Sequence, residues 1–165
     1  MLAFCGQDKC VVDANGRVKL SPRYLTDFEK YGSSDVVLRC LPEGALAVYP
    51  EAVYLQMRSN EAKPAERAAT SFVFRQTLRH FGSLSQSEKI SAQGRLTLPQ
   101  AYREHAVLKA GSDAVVVGVE IGVEIWNAEK WAEELVRVNS HFREKGEREM
   151  AADLMNNDLN RETQG

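Results

Sequence analysis

The chain has 165 residues, 44% of them hydrophobic and 27% charged, which suits one soluble globular domain or two small intertwined ones. A formal net charge of −2 and a pI of about 6.0 exclude the strongly basic composition of proteins that bind nucleic acid over their whole surface. No apolar run is long enough to span a membrane and the N-terminus lacks the features of a signal peptide, so we expect no membrane partner.

The first predicted element is a hairpin. A strand runs from Lys9 to Ala14, and a second strand runs from Arg17 to Leu20. The dipeptide Asn15-Gly16 between them is typical of a type I′ turn, which needs positive φ at both central positions. The sequence therefore predicts that these two strands pair with each other.

Residues of the second strand alternate in character. Val18 and Leu20 are apolar, whereas Arg17 and Lys19 are basic. Successive side chains of a strand point to opposite faces, so the pattern predicts one buried face and one exposed basic face.

The rest of the first half reads as helix, hairpin and helix, followed by a linker helix. The predicted bounds are Pro22–Phe28 for the first helix, Val36–Cys40 and Ala45–Tyr49 for the strands, Pro50–Met57 for the second helix, and 62–80 for the linker helix.

The second half repeats this order and adds a long C-terminal helix. The predicted strands are 89–92, 95–98, 114–119 and 123–126, and the predicted helices are 99–106 and 128–143. A weaker amphipathic run follows Gly146, and we expect its polar end to be frayed or disordered.

One offset relates the two halves. Gly16 and Gly94 lie 78 positions apart, and the same offset relates Tyr24 to Tyr102. A constant offset over so much of the chain indicates a duplicated unit without a net insertion. Such a duplication predicts a pseudo-twofold arrangement that presents the same basic segment twice.

The last 22 residues are acidic. From Glu144 onward there are six acidic and three basic residues. An acidic tail is usually a solvated segment, and the alternative is that it tunes DNA affinity or assembly.

Basic residues that follow the two turns are the candidate functional residues. Arginine forms forked hydrogen bonds to phosphate or to guanine, and a two-stranded ribbon fits the major groove of DNA. The alternative is that these cations only keep strand faces soluble and protect strand edges. The candidate DNA-binding residues are Asn15, Gly16, Arg17, Lys19, Arg23 and Arg95.

Asp13 is a candidate supporting residue. Its carboxylate precedes Arg17 by four residues across the turn and can pair with that guanidinium. The alternative is a local turn bond to backbone N–H groups. Ser91 stands at the corresponding position of the second half, where it offers no charge.

Enzymatic chemistry has little support in the sequence. The histidines His80, His105 and His141 are far apart, and no nucleotide-binding or nucleophile motif is present. Three cysteines match no zinc pattern and are expected to be free thiols. We therefore expect no enzyme activity, catalytic residue, metal, cofactor or small-molecule substrate.

These motifs together resemble the MraZ family. The resemblance runs from about residue 4 to residue 143, and its individual motifs are modest but occur in the right order and spacing. The segments that carry it are Asp13–Arg17, Ser91–Pro99, Tyr102–Leu108, Glu124–Trp126 and Glu129–Trp131.

The resemblance implies an α+β fold, a duplicated SpoVT/AbrB-like swapped-hairpin β-barrel with flanking helices. It implies a first repeat at 4–58, a linker helix at 59–81, a second repeat at 82–143 and an acidic tail at 144–165. It also implies a cytoplasmic, nucleoid-associated regulator of the bacterial division and cell-wall gene cluster, which binds promoter direct repeats in double-stranded DNA as a homo-oligomeric ring. The DNA-contacting arginines of the family's two motifs correspond to Arg17 and Arg95.

An alternative function is an antitoxin or protein-interaction module of the AbrB/MazE type. Such proteins share the hairpin unit and hold a partner protein through a tail, and residues 147–165 are a candidate tail. Co-purification with a neighbouring toxin would distinguish this alternative from a promoter-binding regulator.

Overall fold

The structure is a computed structural model that describes residues 2–32 and 34–164. It divides into two compact units, one ending at Ala128 and the other beginning at Glu129. Residues 1, 33 and 165 lie outside the described part, and so does the corresponding end of the predicted acidic tail.

Eight strands and six helices are present in the described residues. The strands are β1 Gln7–Val11, β2 Arg17–Lys19, β3 Asp35–Cys40, β4 Leu46–Pro50, β5 Ser85–Lys89, β6 Arg95–Thr97, β7 Asp113–Gly118 and β8 Val123–Asn127. The helices are α1 Pro22–Glu29, α2 Glu51–Arg58, α3 Pro64–Thr70, α4 Phe72–Ser83, α5 Gln100–Ala106 and α6 Ala128–Thr163. The predicted α+β class is confirmed.

The strands form two antiparallel sheets. The larger has the order β1-β7-β8-β4-β3-β5, and the smaller contains only β2 and β6. Each half of the chain therefore supplies strands to both sheets, and the β2–β6 pair, which we call the ribbon, joins the two halves.

The 78-residue offset also relates the strand pairs. Gln7 of β1 pairs with Val117 of β7, and Ser85 of β5 pairs with Arg39 of β3. Ser85 lies 78 positions after Gln7, and Val117 lies 78 positions after Arg39, so the two pairs are equivalent. The halves thus exchange equivalent strands.

The predicted pairing of the first two strands is wrong. β1 pairs with β7 and β2 pairs with β6, so the segment between β1 and β2 is a connection rather than the turn of a paired hairpin. Two backbone bonds close it, from Asp13 N–H to Arg17 O and from Gly16 N–H to Asp13 O. The dipeptide Asn15-Gly16 correctly indicated that the chain turns here. It did not indicate which strands β1 and β2 pair with.

Each half was also predicted to contain a second hairpin, and both of these hairpins are confirmed. β3 pairs with β4, and β7 pairs with β8. The helix after β2 is also confirmed, with Pro22 in its first turn, where the missing N–H of proline is no loss.

Three predicted elements have different bounds. β5 lies at Ser85–Lys89 rather than 89–92, because its polar residues gain their structure from pairing with β3. The predicted linker helix is broken at Ser71, which has an extended backbone and whose Oγ accepts a bond from Phe74 N–H at 3.0 Å. The tail expected to be frayed is helical to Thr163, consistent with its many strong helix formers.

The hydrophobic core lies in the unit ending at Ala128. The larger sheet, the ribbon and helices α1 and α5 all contribute side chains to it. Fully or almost fully buried members are Val18, Leu20, Tyr24, Phe28, Leu38, Val48, Leu96, Val116 and Ile125. The ribbon is therefore anchored through one of its two faces.

Candidate nucleic-acid interface

The ribbon has a buried face and a basic outer face. Val18 lies opposite Leu96, and both side chains are completely buried. On the other face Arg17 lies opposite Thr97 and Lys19 lies opposite Arg95. The structure thus brings Arg17, Lys19 and Arg95, from two distant parts of the sequence, onto one surface.

Asp13 organises the first turn. Its Oδ1 accepts hydrogen bonds from Asn15 N–H and Arg17 N–H, and its Oδ2 accepts one from Arg17 Nε, all at 2.9 Å. From the sequence alone, the guanidinium pair and the backbone turn bonds were alternatives. Both are present at once, so the Arg17 side chain is held by the turn that precedes it.

Ionised Asp13 is favoured by these contacts. The backbone N–H of Arg17 lowers the pKa of Asp13 below its ordinary value of 3.8, and the Arg17 guanidinium and the Asn15 N–H add to this effect. Together they outweigh the opposing loss of hydration. The carboxylate that positions Arg17 therefore stays charged at neutral pH.

Ser91 replaces Asp13 in the second turn. Its Oγ accepts the Arg95 backbone N–H at 3.0 Å and so closes the turn in the same way. The Arg95 side chain is exposed and forms no ion pair with any residue in 2–32 or 34–164. Arg17 is therefore fixed by a carboxylate, whereas Arg95 is free to reorient.

Both turns use a glycine at positive φ, but neither is of type I′. Gly16 has φ of 73° and Gly94 has φ of 80°, whereas Asn15 does not have positive φ. The Gly16 N–H bonds to Asp13 O, and the Gly94 N–H bonds to Ser91 O. The predicted turn type is wrong because one left-handed residue is enough to turn the chain into β2 and β6.

Each turn glycine packs against a helix of the other half. A Cβ on Gly16 would lie 2.7 Å from Arg103 Nε, and a Cβ on Gly94 would lie 2.9 Å from Leu25 Cδ1. Arg103 and Leu25 are themselves related by the 78-residue offset. The sequence places Arg103 only on a helix, because no local pattern reports an approach between the two halves.

Arg23 lies on α1 and not on the ribbon. Its Nη2 donates to Asp8 Oδ2 at 2.8 Å, and its guanidinium carbon lies 4.6 Å from the centre of the Tyr24 ring. The bond to Asp8 is the main cause that raises the pKa of Arg23 above its ordinary value. Its charge is already paired within the chain.

Asn15 lies at the exposed tip of the first turn, and Gly16 is buried beneath it. The tip is therefore polar. Arg17 follows this turn directly, and Arg95 follows the corresponding second turn. Such a surface can bind an anion or the hydrogen-bonding edge of a base.

Metal sites and membrane spans have no support in the described part of the chain. Among those residues, no group of three or more His, Cys, Asp or Glu side chains is placed to hold a metal ion. No helix in 2–32 or 34–164 is both long enough and apolar enough to cross a membrane.

Known proteins resemble this chain over most of its length. The family model described as "MraZ protein, putative antitoxin-like" matches residues 85–153. A "Transcriptional regulator MraZ" of Heliobacterium modesticaldum is 30% identical over 152 residues, which cover 92% of this chain and 99% of that relative.

Two further relatives carry the same name. The one from Desulforamulus reducens is 31% identical over 87% of this chain and 95% of its own length. The one from Cytophaga hutchinsonii is 28% identical over 90% of this chain and 95% of its own length. A match over 92% of the chain includes residues of both halves.

Proposed function

This chain belongs to the MraZ family, and we propose that it regulates transcription by binding double-stranded DNA with the outer face of the ribbon. The observation that supports this most is the pairing of Lys19 with Arg95. Like charges directly opposite each other on a strand pair are destabilising, and a bound polyanion removes the penalty.

The proposed contacts follow from side-chain chemistry. Arg17 and Arg95 offer guanidinium forks to guanine edges or phosphates, and Lys19 offers a point charge to phosphate. Asn15 forms an exposed tip that can approach a groove, and Gly16 supplies the positive-φ turn beneath it. Asp13 acts as a support that orients Arg17, as its bond to Arg17 Nε suggests.

Arg23 is kept in this proposal with a smaller role. Its ion pair with Asp8 has to loosen or be shared when a phosphate approaches. We therefore expect it to contribute less to DNA affinity than Arg17.

We further propose that the architecture is a SpoVT/AbrB-like swapped-hairpin barrel with repeats at 4–58 and 82–143, joined by the segment 59–81. The exchange of equivalent strands between the halves supports it. Residues 144–165 would be an acidic tail that follows the second repeat in the sequence.

The wider biological proposal rests on the family resemblance. We propose a cytoplasmic, nucleoid-associated regulator that binds direct repeats in the promoter of the division and cell-wall gene cluster as a homo-oligomeric ring. One ribbon carries only three cations, so a single subunit would bind weakly. Several subunits on neighbouring repeats would bind more tightly through effective concentration alone.

An antitoxin-like function is the second candidate. The matching family model is itself described as antitoxin-like, and α6 exposes large apolar side chains. These include Phe142, Met150, Leu154, Met155 and Leu159. A partner protein that covers such a helix would make the chain an interaction module.

A gel-shift titration against the DNA upstream of its own gene tests the leading proposal. We expect a specific shift that survives excess scrambled competitor of equal length. A folded sample that gives no shift even at low salt would reject it. Co-purification with the co-expressed product of a neighbouring gene would then favour the antitoxin-like function.

A further inference from the structure

Arg103 crosses from the second half to the first turn. Its Nε donates to Leu98 O at 3.0 Å, which fixes the guanidinium above Gly16. Its two terminal nitrogens have no hydrogen-bond or ion-pair partner among residues 2–32 and 34–164. A half-buried cation with free donors thus lies next to the turn that carries Arg17.

A cleft of about 510 Å³ opens beside this guanidinium. It is lined by Gln100, Arg103, Glu104, Val107, Lys109 and Ala110. Its one carboxylate, Glu104, already accepts a bond from Gln100 Nε2 at 3.0 Å. Two cations, Arg103 and Lys109, therefore face a cleft with a single, partly satisfied acid.

Lys109 is also tied to the first turn. Ser112 N–H donates to Lys109 O at 2.9 Å, and the neighbouring Gly111 N–H donates to Val12 O at 2.7 Å. Val12 immediately precedes Asp13. The loop that carries Lys109 is therefore fastened to the strand end from which the Asp13–Arg17 turn begins.

The second turn has a different flank. Leu25 lies on Gly94 in the place that Arg103 takes on Gly16. The adjacent cleft, of about 380 Å³, contains Glu29, and its one lysine, Lys89, pairs with Asp35 at 3.5 Å. The 78-residue offset relates Arg103 to Leu25 and Lys109 to Tyr31, so neither cation of the first cleft has a basic equivalent beside the second turn.

We propose that Arg103 and Lys109 form a binding site for a backbone phosphate of the DNA held by the first turn, and that the second turn has no such site. This inference rests on the proposed function. A guanidinium whose Nε is fixed can direct its remaining donors at one phosphate, and an ammonium can reach the same oxygens. The two turns then bind one DNA duplex unequally.

Reciprocal substitutions test the inference, because each half provides the control for the other. Arg103→Leu gives the first turn the residue found beside the second, and Leu25→Arg does the reverse. The measurement is the affinity for the upstream DNA at several salt concentrations. The slope of log affinity against log salt changes by about 0.9 for each DNA phosphate that the protein newly neutralises or ceases to neutralise.

We expect Arg103→Leu to weaken binding about tenfold and to reduce the magnitude of that slope by about 0.9. Lys109→Gln, at an exposed position, should weaken binding several-fold and reduce the slope in the same direction. Leu25→Arg should raise the affinity and the magnitude of the slope, because it gives the second turn the cation that the first turn has. A purely structural role of Arg103 would change thermal stability but not the salt slope.

The outcomes separate this inference from the proposed function. Wild-type protein without specific binding would overturn the proposed function itself. Wild-type protein that binds specifically, together with Arg103→Leu and Lys109→Gln variants of unchanged affinity and slope, would overturn only the phosphate site. If Arg103→Leu does not fold, Lys109→Gln alone gives the answer.

Discussion

Lys19 of β2 lies directly opposite Arg95 of β6, on the outer face of the ribbon. Neither side chain forms an ion pair with any residue in the described part of the chain. Two facing cations without a counter-charge reduce stability, so this pair has a cost that a functional anion would offset.

Replacing Lys19 should separate stability from binding. Lys19→Thr gives β2 the residue that β6 has at Thr97 and removes the repulsion of Arg95. We expect the free energy of unfolding to rise by roughly a few tenths of a kcal/mol while DNA affinity falls. Urea unfolding and a binding titration measure the two effects. Lys9→Thr, at an exposed position of β1, is the control and should change neither the free energy of unfolding nor the DNA affinity. A Lys19→Thr variant that binds DNA as well as wild type would contradict the prediction.

Asp13 should make the first turn sensitive to acid. Because its pKa is lowered in the folded chain, its ionised form stabilises the fold above its ordinary pKa of 3.8. That contribution is lost as the pH falls through the lower, folded-state pKa.

The contribution of the Asp13 carboxylate is measured by comparing the free energies of unfolding of wild type and Asp13→Asn at several pH values. We expect the stability difference between wild type and Asp13→Asn to be constant from pH 7 to about pH 5, and to shrink below about pH 4. Ser91 does not titrate in this range, so Ser91→Ala should show no such change. A difference that stays constant down to pH 2 would show that the carboxylate is not stabilised by the turn.

The two turn glycines should differ in their tolerance of a side chain. Gly16→Ala and Gly94→Ala both place a Cβ at positive φ, which costs about 1–2 kcal/mol. The Cβ at residue 16 meets the Arg103 side chain, which can shift only by giving up its bond to Leu98 O. The Cβ at residue 94 meets Leu25 Cδ1 at 2.9 Å and also the backbone oxygen of Leu20 at 3.2 Å, which cannot yield without moving the main chain. We therefore expect Gly94→Ala to be the more destabilising in urea unfolding. The reverse order would argue against this packing of the two turns.

Asp27 should be a structural carboxylate. It is 8% exposed, and its Oδ2 accepts the N–H of the fully buried Phe4 at 2.9 Å. Asp27→Ala leaves this N–H without a partner and should cost about 1–3 kcal/mol of unfolding free energy. Thr26→Ala, on the exposed side of the same helix, should cost under about 0.5 kcal/mol. Equal effects of the two variants would contradict the assignment.

Local patterns in the sequence predicted much of the secondary structure. The alternation of Val18 and Leu20 with Arg17 and Lys19 correctly predicted which face of β2 is buried. The two later hairpins were also predictable, because their strands are close in sequence and rich in β-branched residues.

Long-range partners were beyond what local patterns report. Nothing in the residues around Gly16 shows that β2 pairs with β6 rather than with β1. The same limit hid the approach of Arg103 to the first turn. The polar strand β5 was predicted at 89–92 instead of Ser85–Lys89, because its conformation comes from pairing with β3 and not from its own propensity.

A fluorescence anisotropy titration of upstream DNA with wild type, Arg17→Ala and Arg95→Ala tests the central claim most directly. Both arginines lie on the outer face of the ribbon, away from the core, so both variants should fold and assemble as wild type does. We predict that each loses most of its specific affinity, with the larger loss for Arg17→Ala. Wild-type affinity in both folded variants would show that the ribbon is not the surface that binds DNA.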